Sequence, residues 1–348
     1  MYAFRPFPET FSLQNLADIS ARACALKVNP HSQLVAEKMR QWFLGFEVYD
    51  NVRSSEYVNR GRFDTFAALS FPDADPSHLE TCLAFFYWAF ATDDLSDEGE
   101  LQAKPESVKN SVDICREVLD NPNVPVPSYP YAAMLQDLFK RIQATATPGA
   151  CTRFMAAYQA FSDSQVNQSH CRFTDTMPSV NDFILSRRAT IGAALVEAMI
   201  EYSLDLDIPD YVFENSIVKA MSDATTDIMT WPNDLCSFNK EQADGDFQNL
   251  VCIIMVEHNI DLQSAIDLLT NMLDERVKEY LALKQSLPSF GTKVDIQLSR
   301  YHTALEHFVQ GTVVWYYMSP RYFSAADRKD ALQRKELLLK LKVFPSLN

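Results

Sequence analysis

The sequence predicts an all-α fold, a helical bundle of 348 residues closed around a central apolar cavity. Three observations predict it. Nearly every stretch with a hydrophobic pattern repeats at about 3.6 residues and not at two. The patterned stretches stop at groups of Pro, Gly, Asp and Asn, which divide the chain into about ten helices of roughly 10 to 30 residues. No Gly/Ser-rich or charge-rich linker splits the chain, and no self-similarity at the period of a helical repeat is visible. Residues 1–348 therefore read as a single domain, large for one core but suited to a bundle around a cavity.

Taken in order, the chain opens on a segment, 1–28, whose first residues, MYAFRPFPETFSL, lack the charged region and apolar run of a signal peptide. After a break at Pro72 to Pro76 comes the helical pattern HLETCLAFFYWAFATDD (78–94). YAAMLQDLFKRIQATA (131–146) follows a break at Asn121 to Pro130, and FMAAYQAFSDSQVN (154–167) follows Pro148 and Gly149. A further break spans Asp205 to Pro209, and LQSAIDLLTNMLDERVKEYLALKQSL (262–287) ends at the break from Leu287 to Gly291. Residues 323–348 form a C-terminal helix and tail, in which ADRKDALQRKELLLKLK (326–342) predicts an amphipathic basic helix packing its leucines on the bundle.

Composition narrows the function. With 31 basic against 46 acidic side chains the net charge is −15, which argues against nucleic acid or an anionic membrane surface as the main partner. There are only 8 glycines, so scattered that neither a dinucleotide-binding loop nor a Walker loop can form. A phosphate ester would have to be held by metals or cationic side chains. The longest apolar run, Leu250 to Val256, is far short of the roughly 18 residues needed to span a bilayer, so no stable membrane insertion is expected. The seven cysteines show no CxxC or zinc spacing and read as reduced thiols of a cytoplasmic protein.

Four segments carry candidate chemistry. In FFYWAFATDDLSDEGE (85–100) an aromatic helix ends in acids; Asp93 and Asp97 are spaced i, i+4, so both carboxylates share a face and can share divalent cations. Acids at a helix C-terminus oppose the macrodipole, which points to a compensating cation. In NDLCSFNKE (233–241), Asn233, Ser237 and Glu241 spread over roughly 80° of one helix face and about 12 Å of axis. An amide oxygen, a hydroxyl and a carboxylate so placed can converge on one hard cation such as Mg²⁺, with Lys240 beside them. Pro232, directly before Asn233, predicts a kink or restart of that helix. In SRRATIG (186–192), Arg187 and Arg188 offer donors for phosphate, and Gly192 allows a helix break at a cavity. In WYYMSPRY (315–322) an aromatic helix end is broken at Pro320 and followed by the donor pair Arg321 and Tyr322.

Together, in this order, these segments resemble the class I terpene cyclases, most closely the sesquiterpene synthases of fungi. DDLSD (93–97) resembles their aspartate-rich motif, and NDLCSFNKE (233–241) their metal-binding triad with its lysine. The arginine 45 positions before Asn233, Arg188, or its neighbour at 46, Arg187, resembles their diphosphate sensor; counting back from Gly192 favours Arg188. Arg321 and Tyr322 resemble the C-terminal pair, and Trp315 and NPH (29–31) are also similar to the fungal branch.

The resemblance implies a class I terpenoid synthase fold and three Mg²⁺ ions, replaceable by Mn²⁺, that bridge protein and prenyl diphosphate. Asp93 with Asp97 would hold two ions, and Asn233, Ser237 and Glu241 the third. Arg188 or Arg187, Lys240, Arg321 and Tyr322 would donate to the leaving group. Phe85, Phe86, Trp88, Phe90, Trp315 and Tyr316 are the candidate ring faces for the carbocation, and Gly192 the effector position. Farnesyl diphosphate is the expected substrate, cyclised to a sesquiterpene by a monomer or homodimer, with the retained diphosphate as final base. The alternatives are geranylgeranyl diphosphate as substrate, a chain-elongating or condensing prenyl transferase on the same fold, and a non-enzymatic helical scaffold. The Asn/Ser/Glu second site favours cyclisation over elongation, which uses two aspartate-rich motifs.

Overall fold

The computed structural model describes residues 6–97, 101, 104–174, 176–332 and 336–339, with the side chains of Ser96, Asp97 and Glu336 outside the description. Among the described residues the chain forms sixteen helices and one two-stranded ribbon. β1 (Thr10–Ser12) and α1 (Leu16–Ser20) lead into α2 (Ser32–Leu44), α3 (Asn51–Gly61) and α4 (Phe63–Ser70). Four helices that start at a proline follow: α5 (Pro76–Asp97), α6 (Pro105–Asp120), α7 (Pro130–Thr145) and α8 (Pro148–Thr174). Proline suits a first turn, whose N–H has no helical partner to lose. Then come α9 (Val180–Thr190), α10 (Ala193–Ser203), the single turn α11 (Asp210–Phe213) and the long α12 (Ser216–Asp244). α13 (Leu250–His258), α14 (Leu262–Gln285), α15 (Thr292–Met318), α16 (Ala325–Leu332) and β2 (Glu336–Leu338) complete the order.

Helix ends follow local chemistry. Asn215, Asn249 and Asp261 accept backbone N–H bonds at the starts of α12, α13 and α14, and Gly245 and Asn259 stop α12 and α13 in the left-handed conformation. α12 runs unbroken through Pro232, where a kink or restart was expected from sequence. There the hydroxyl of Tyr316 on α15 donates to the Met229 carbonyl at 3.2 Å, tying the two helices together beside the proline.

α12 packs against α14 and α15, α15 against α4, and α10 against α8 and α5, so that α5, α10, α12 and α15 surround a central space. Rings fill one side of it: Phe66 on α4 stacks between Phe86 on α5 and Trp315 on α15, with both centroids at 4.2 Å. The Trp315 indole donates to the Gly61 carbonyl at 2.9 Å, which fixes the ring plane. The all-α architecture is as the sequence predicts.

The C-terminal segment is different. The basic helix expected over 326–342 ends at Leu332, and residues 336–338 form β2, antiparallel to β1 with Phe11 opposite Leu337. A strand partner at the other end of the chain outcompetes helix propensity there, and Leu337 is buried in the ribbon instead of on a helix face. Among the described residues no helix is long and apolar enough to cross a membrane.

One glycine sets the closeness of two cavity helices. A Cβ at Gly311 on α15 would stand 2.7 Å from the Leu69 carbonyl oxygen of α4 and 2.9 Å from its carbonyl carbon. Both are backbone atoms and cannot move aside cheaply. Gly311→Ala is therefore expected to destabilise the protein by about 1–3 kcal/mol in urea unfolding, although alanine is the better helix former. A gain in stability would show that α15 and α4 are not packed this tightly.

Candidate active site

A cavity of about 800 Å³ occupies the space between α5, α10, α12 and α15. Its lower part is aromatic and aliphatic, lined by Phe66, Phe85, Phe86, Phe161, Val196 and Phe308 among others, and its mouth carries Asp93, Arg187, Asn233, Ser237, Lys240, Glu241 and Arg321. Helix geometry turns both sets to the cavity, and their places along the helix axes separate them. On α12, Met229, Asn233, Ser237, Lys240, Glu241 and Asp244 all fall within about 120° of one face at 100° per residue. On α5, Phe85, Phe86, Ala89, Phe90 and Asp93 share a face in the same way.

Trp88 lies about 130° from the middle of that α5 face and does not line the cavity, contrary to the sequence expectation. It is buried behind it, 6.0 Å from the ring of Tyr158. Phe85, Phe86, Phe90, Trp315 and Tyr316 do line the cavity, together with Phe66, Phe161 and Phe308, which sequence reading missed because no motif marks them.

The two arginines of α9 part company. Arg187 lies in the cavity wall; its Nη2 donates to Asn233 Oδ1 at 2.8 Å, and its Nε and Nη2 donate to Asp234 Oδ1 at 3.1 and 3.0 Å. Arg188, favoured by counting back from Gly192, points the other way and forks onto Asp227 at 2.8 and 2.7 Å. Neighbouring residues on a helix diverge by about 100°, and here Arg187 takes the cavity side while Arg188 takes the side of Asp227. Burial works against the Arg187 charge, but the carboxylates of Asp234 and Glu241 outweigh it and keep the guanidinium protonated. Its Nη1 has only a 3.5 Å contact with Thr190 Oγ1 among the described residues, so donors remain for a ligand. Gly192, with φ of +74°, ends this segment in the cavity wall and starts α10.

Asn233 is held at both ends: its oxygen accepts from Arg187, and its Nδ2 donates to the Tyr322 hydroxyl at 3.1 Å. Tyr322 and Arg321 thus reach the cavity from beyond the end of α15. Arg321 donates to Asp94 through Nη1 at 3.0 Å and Nη2 at 2.5 Å, and lies 5.2 Å above the Phe90 ring. Asp94, not assigned from sequence, is therefore the partner of the C-terminal arginine, whereas Asp93 faces the cavity. The side chain of Asp97, proposed from its i, i+4 spacing, lies outside the described residues.

Across the mouth, Ser237 Oγ is buried with no hydrogen-bond partner among the described residues. Glu241 accepts from Asn249 Nδ2 at 2.8 Å, and burial, reinforced by Asp246 and Asp234, pushes its carboxyl up to about 7. An orphan hydroxyl, an amide oxygen with a spare lone pair and an electrostatically crowded carboxylate on one face form a donor set that fits a hard cation. The oxygen donors are mixed in kind, an amide, a hydroxyl and a carboxylate, and among the described residues no three His, Cys, Asp or Glu side chains cluster as a metal site.

Residues 84–279 match the family model described as terpene synthase family 2, C-terminal metal binding. Sesquiterpene synthase Agr1 of Cyclocybe aegerita is 30% identical over 87% of this chain and 86% of its own length. Alpha-muurolene synthase of Coprinopsis cinerea is 28% identical over 97% of this chain and 79% of its own length. Among solved structures, an α-eudesmol synthase superposes with a TM-score of 0.74 at 19% identity, over 85% of this chain and 97% of that one. Germacradien-4-ol synthase from Streptomyces citricolor does so at 0.74 and 19%, over 84% and 95%. The chain has the fold of the class I terpene synthases. The chain belongs to terpene synthase family 2 and is a terpene cyclase of the metal-binding kind.

The orphan hydroxyl gives a test without substrate. Ser237→Ala removes a buried donor that has no partner among the described residues, so with metal chelated the variant is expected to be as stable as wild type or up to about 1 kcal/mol more stable in urea. Its affinity for a divalent cation should fall at least tenfold. A stability loss above about 2 kcal/mol would mean that the hydroxyl bonds to the protein.

Proposed function

We propose that the protein ionises farnesyl diphosphate with the help of Mg²⁺ and closes the carbocation into a sesquiterpene, acting as a carbon–oxygen lyase within a single domain. The observation that carries this reading is the division of one cavity into a mouth of oxygen donors and guanidinium groups and a floor of rings. The sesquiterpene synthase names of the relatives support the fifteen-carbon substrate. We place the enzyme in the cytosol.

Asn233, Ser237 and Glu241 would hold one Mg²⁺, and Asp93 with Asp97 two more. When bound, the metals neutralise the charge that develops on the diphosphate as its carbon–oxygen bond breaks. Arg187 donates to the diphosphate from a position already fixed by Asp234 and Asn233, so little reorganisation is needed as charge develops. Arg321, Tyr322 and Lys240 supply further donors at the mouth. The bond electrons leave with the diphosphate, and the allylic cation stays among Phe66, Phe85, Phe86, Phe90 and Trp315. Each ring face stabilises a passing cation by about 0.5–2 kcal/mol, enough to steer between competing closures. A proton lost to the retained diphosphate ends the reaction.

Incubation with Mg²⁺ and farnesyl diphosphate is expected to give cyclic hydrocarbons or alcohols of fifteen carbons by gas chromatography. Arg187→Lys should lower kcat/KM at least tenfold, because a lysine cannot span Asp234, Asn233 and the diphosphate with one ammonium. A longer prenyl diphosphate as product would make the enzyme a chain elongase, and turnover of geranylgeranyl diphosphate alone would make it a diterpene cyclase.

A further inference from the structure

Behind the cavity wall, on the side away from the substrate space, lies a second set of charges that the reaction as proposed does not use. Asp227 on α12 is buried, with its side chain 2% exposed, and accepts a fork from Arg188 on α9 through both carboxylate oxygens at 2.8 and 2.7 Å. Arg276 on α14 donates to the same carboxylate at 2.8 Å. Outside this core, Arg188 also pairs with Asp223 at 2.9 Å and Arg276 with Glu279 at 2.6 Å, and these outer acids are about half exposed. One buried carboxylate therefore joins three helices.

The placement relative to the mouth is specific. Asp227 and Asp234 stand two turns apart on one face of α12, within about 20° of each other. They take the consecutive arginines of α9: Asp227 takes Arg188 and Asp234 takes Arg187. This last turn of α9 is followed at once by the break at Gly192, so no continuing helix holds it from the C-terminal side. A helix end at a break frays readily, and a buried bidentate ion pair defines both its rotation and its height. If α9 rotated by one residue, Arg188 would move toward the cavity and Arg187 would leave Asn233.

We infer that Asp227 is a positioning residue for the diphosphate-binding arginine: through Arg188 it fixes the end of α9 so that Arg187, and not its neighbour, faces the cavity. This rests on the proposed role of Arg187 as a diphosphate donor. It assigns to a carboxylate outside the cavity a part in substrate affinity that no contact with substrate would reveal.

The test is the Mg²⁺-dependent binding of inorganic diphosphate, measured by calorimetry, with kcat and KM for farnesyl diphosphate alongside. Asp227→Asn is expected to weaken diphosphate binding at least tenfold and to raise KM. Glu279→Gln, which removes only an outer partner of Arg276, should leave both within twofold of wild type. Should Asp227→Asn fail to fold, Arg188→Lys keeps a charge on Asp227 but loses the fork, and should weaken diphosphate about threefold or more. Wild-type diphosphate binding in Asp227→Asn, or in Arg188→Lys if only that variant folds, while Arg187→Ala loses it, overturns the inference and leaves Asp227 a purely structural ion-pair partner. Wild-type binding in Arg187→Ala would instead overturn the reading of the site itself, and the inference with it.

Discussion

The structure turns on a guanidinium that is kept charged inside a protein wall. Arg187 is fifteen per cent exposed and would be costly to bury alone; Asp234, one per cent exposed, makes the position tolerable, and Asn233 finishes the arrangement. The same Asn233 fixes Tyr322, and Tyr322 packs edge-on against Trp315 and Tyr316, so the charged mouth and the aromatic floor meet at one amide. Removing either member of the Arg187–Asp234 pair would leave a buried charge unmatched, which costs far more than the net worth of the pair.

α12 is the element that carries these demands. One of its faces presents Asn233, Ser237 and Glu241 to the cavity, while a neighbouring face presents Asp227 and Asp234 to the arginines of α9. The helix is long enough to do both because Pro232 does not break it. On the opposite side of the mouth, α5 divides consecutive aspartates in the same manner: Asp93 to the cavity, Asp94 to Arg321. In both places adjacent residues about 100° apart serve different tasks, one binding and one holding.

What could be read from sequence follows the range of the interactions. The Asn233, Ser237 and Glu241 set was legible because its spacing is a property of a single helix, whereas Arg321 with Tyr322 was legible only through the family resemblance, since the pair carries no pattern of its own. The choice between Arg187 and Arg188 was not, since it depends on where α12 places its carboxylates. Nor was the role of Asp94, whose partner lies at the far end of the chain. Phe66 and Gly311 escaped notice because their roles are set by a neighbouring helix and not by any local pattern. The tail from 326 has the periodicity of an amphipathic helix, yet β1 claims residues 336–338 as a strand. The general fold was plain because 3.6-residue periodicity is local and long helices repeat it many times.

The most direct test is a crystal structure with Mn²⁺ and diphosphate, in which the metal is located by its anomalous signal. Metal density bounded by Asn233, Ser237 and Glu241, with Arg187 on the diphosphate and Arg188 still on Asp227, is the result expected. Density away from these three side chains, or a diphosphate bound by Arg188 in place of Arg187, would contradict the central claim that α12 and the end of α9 form a prepared anion site.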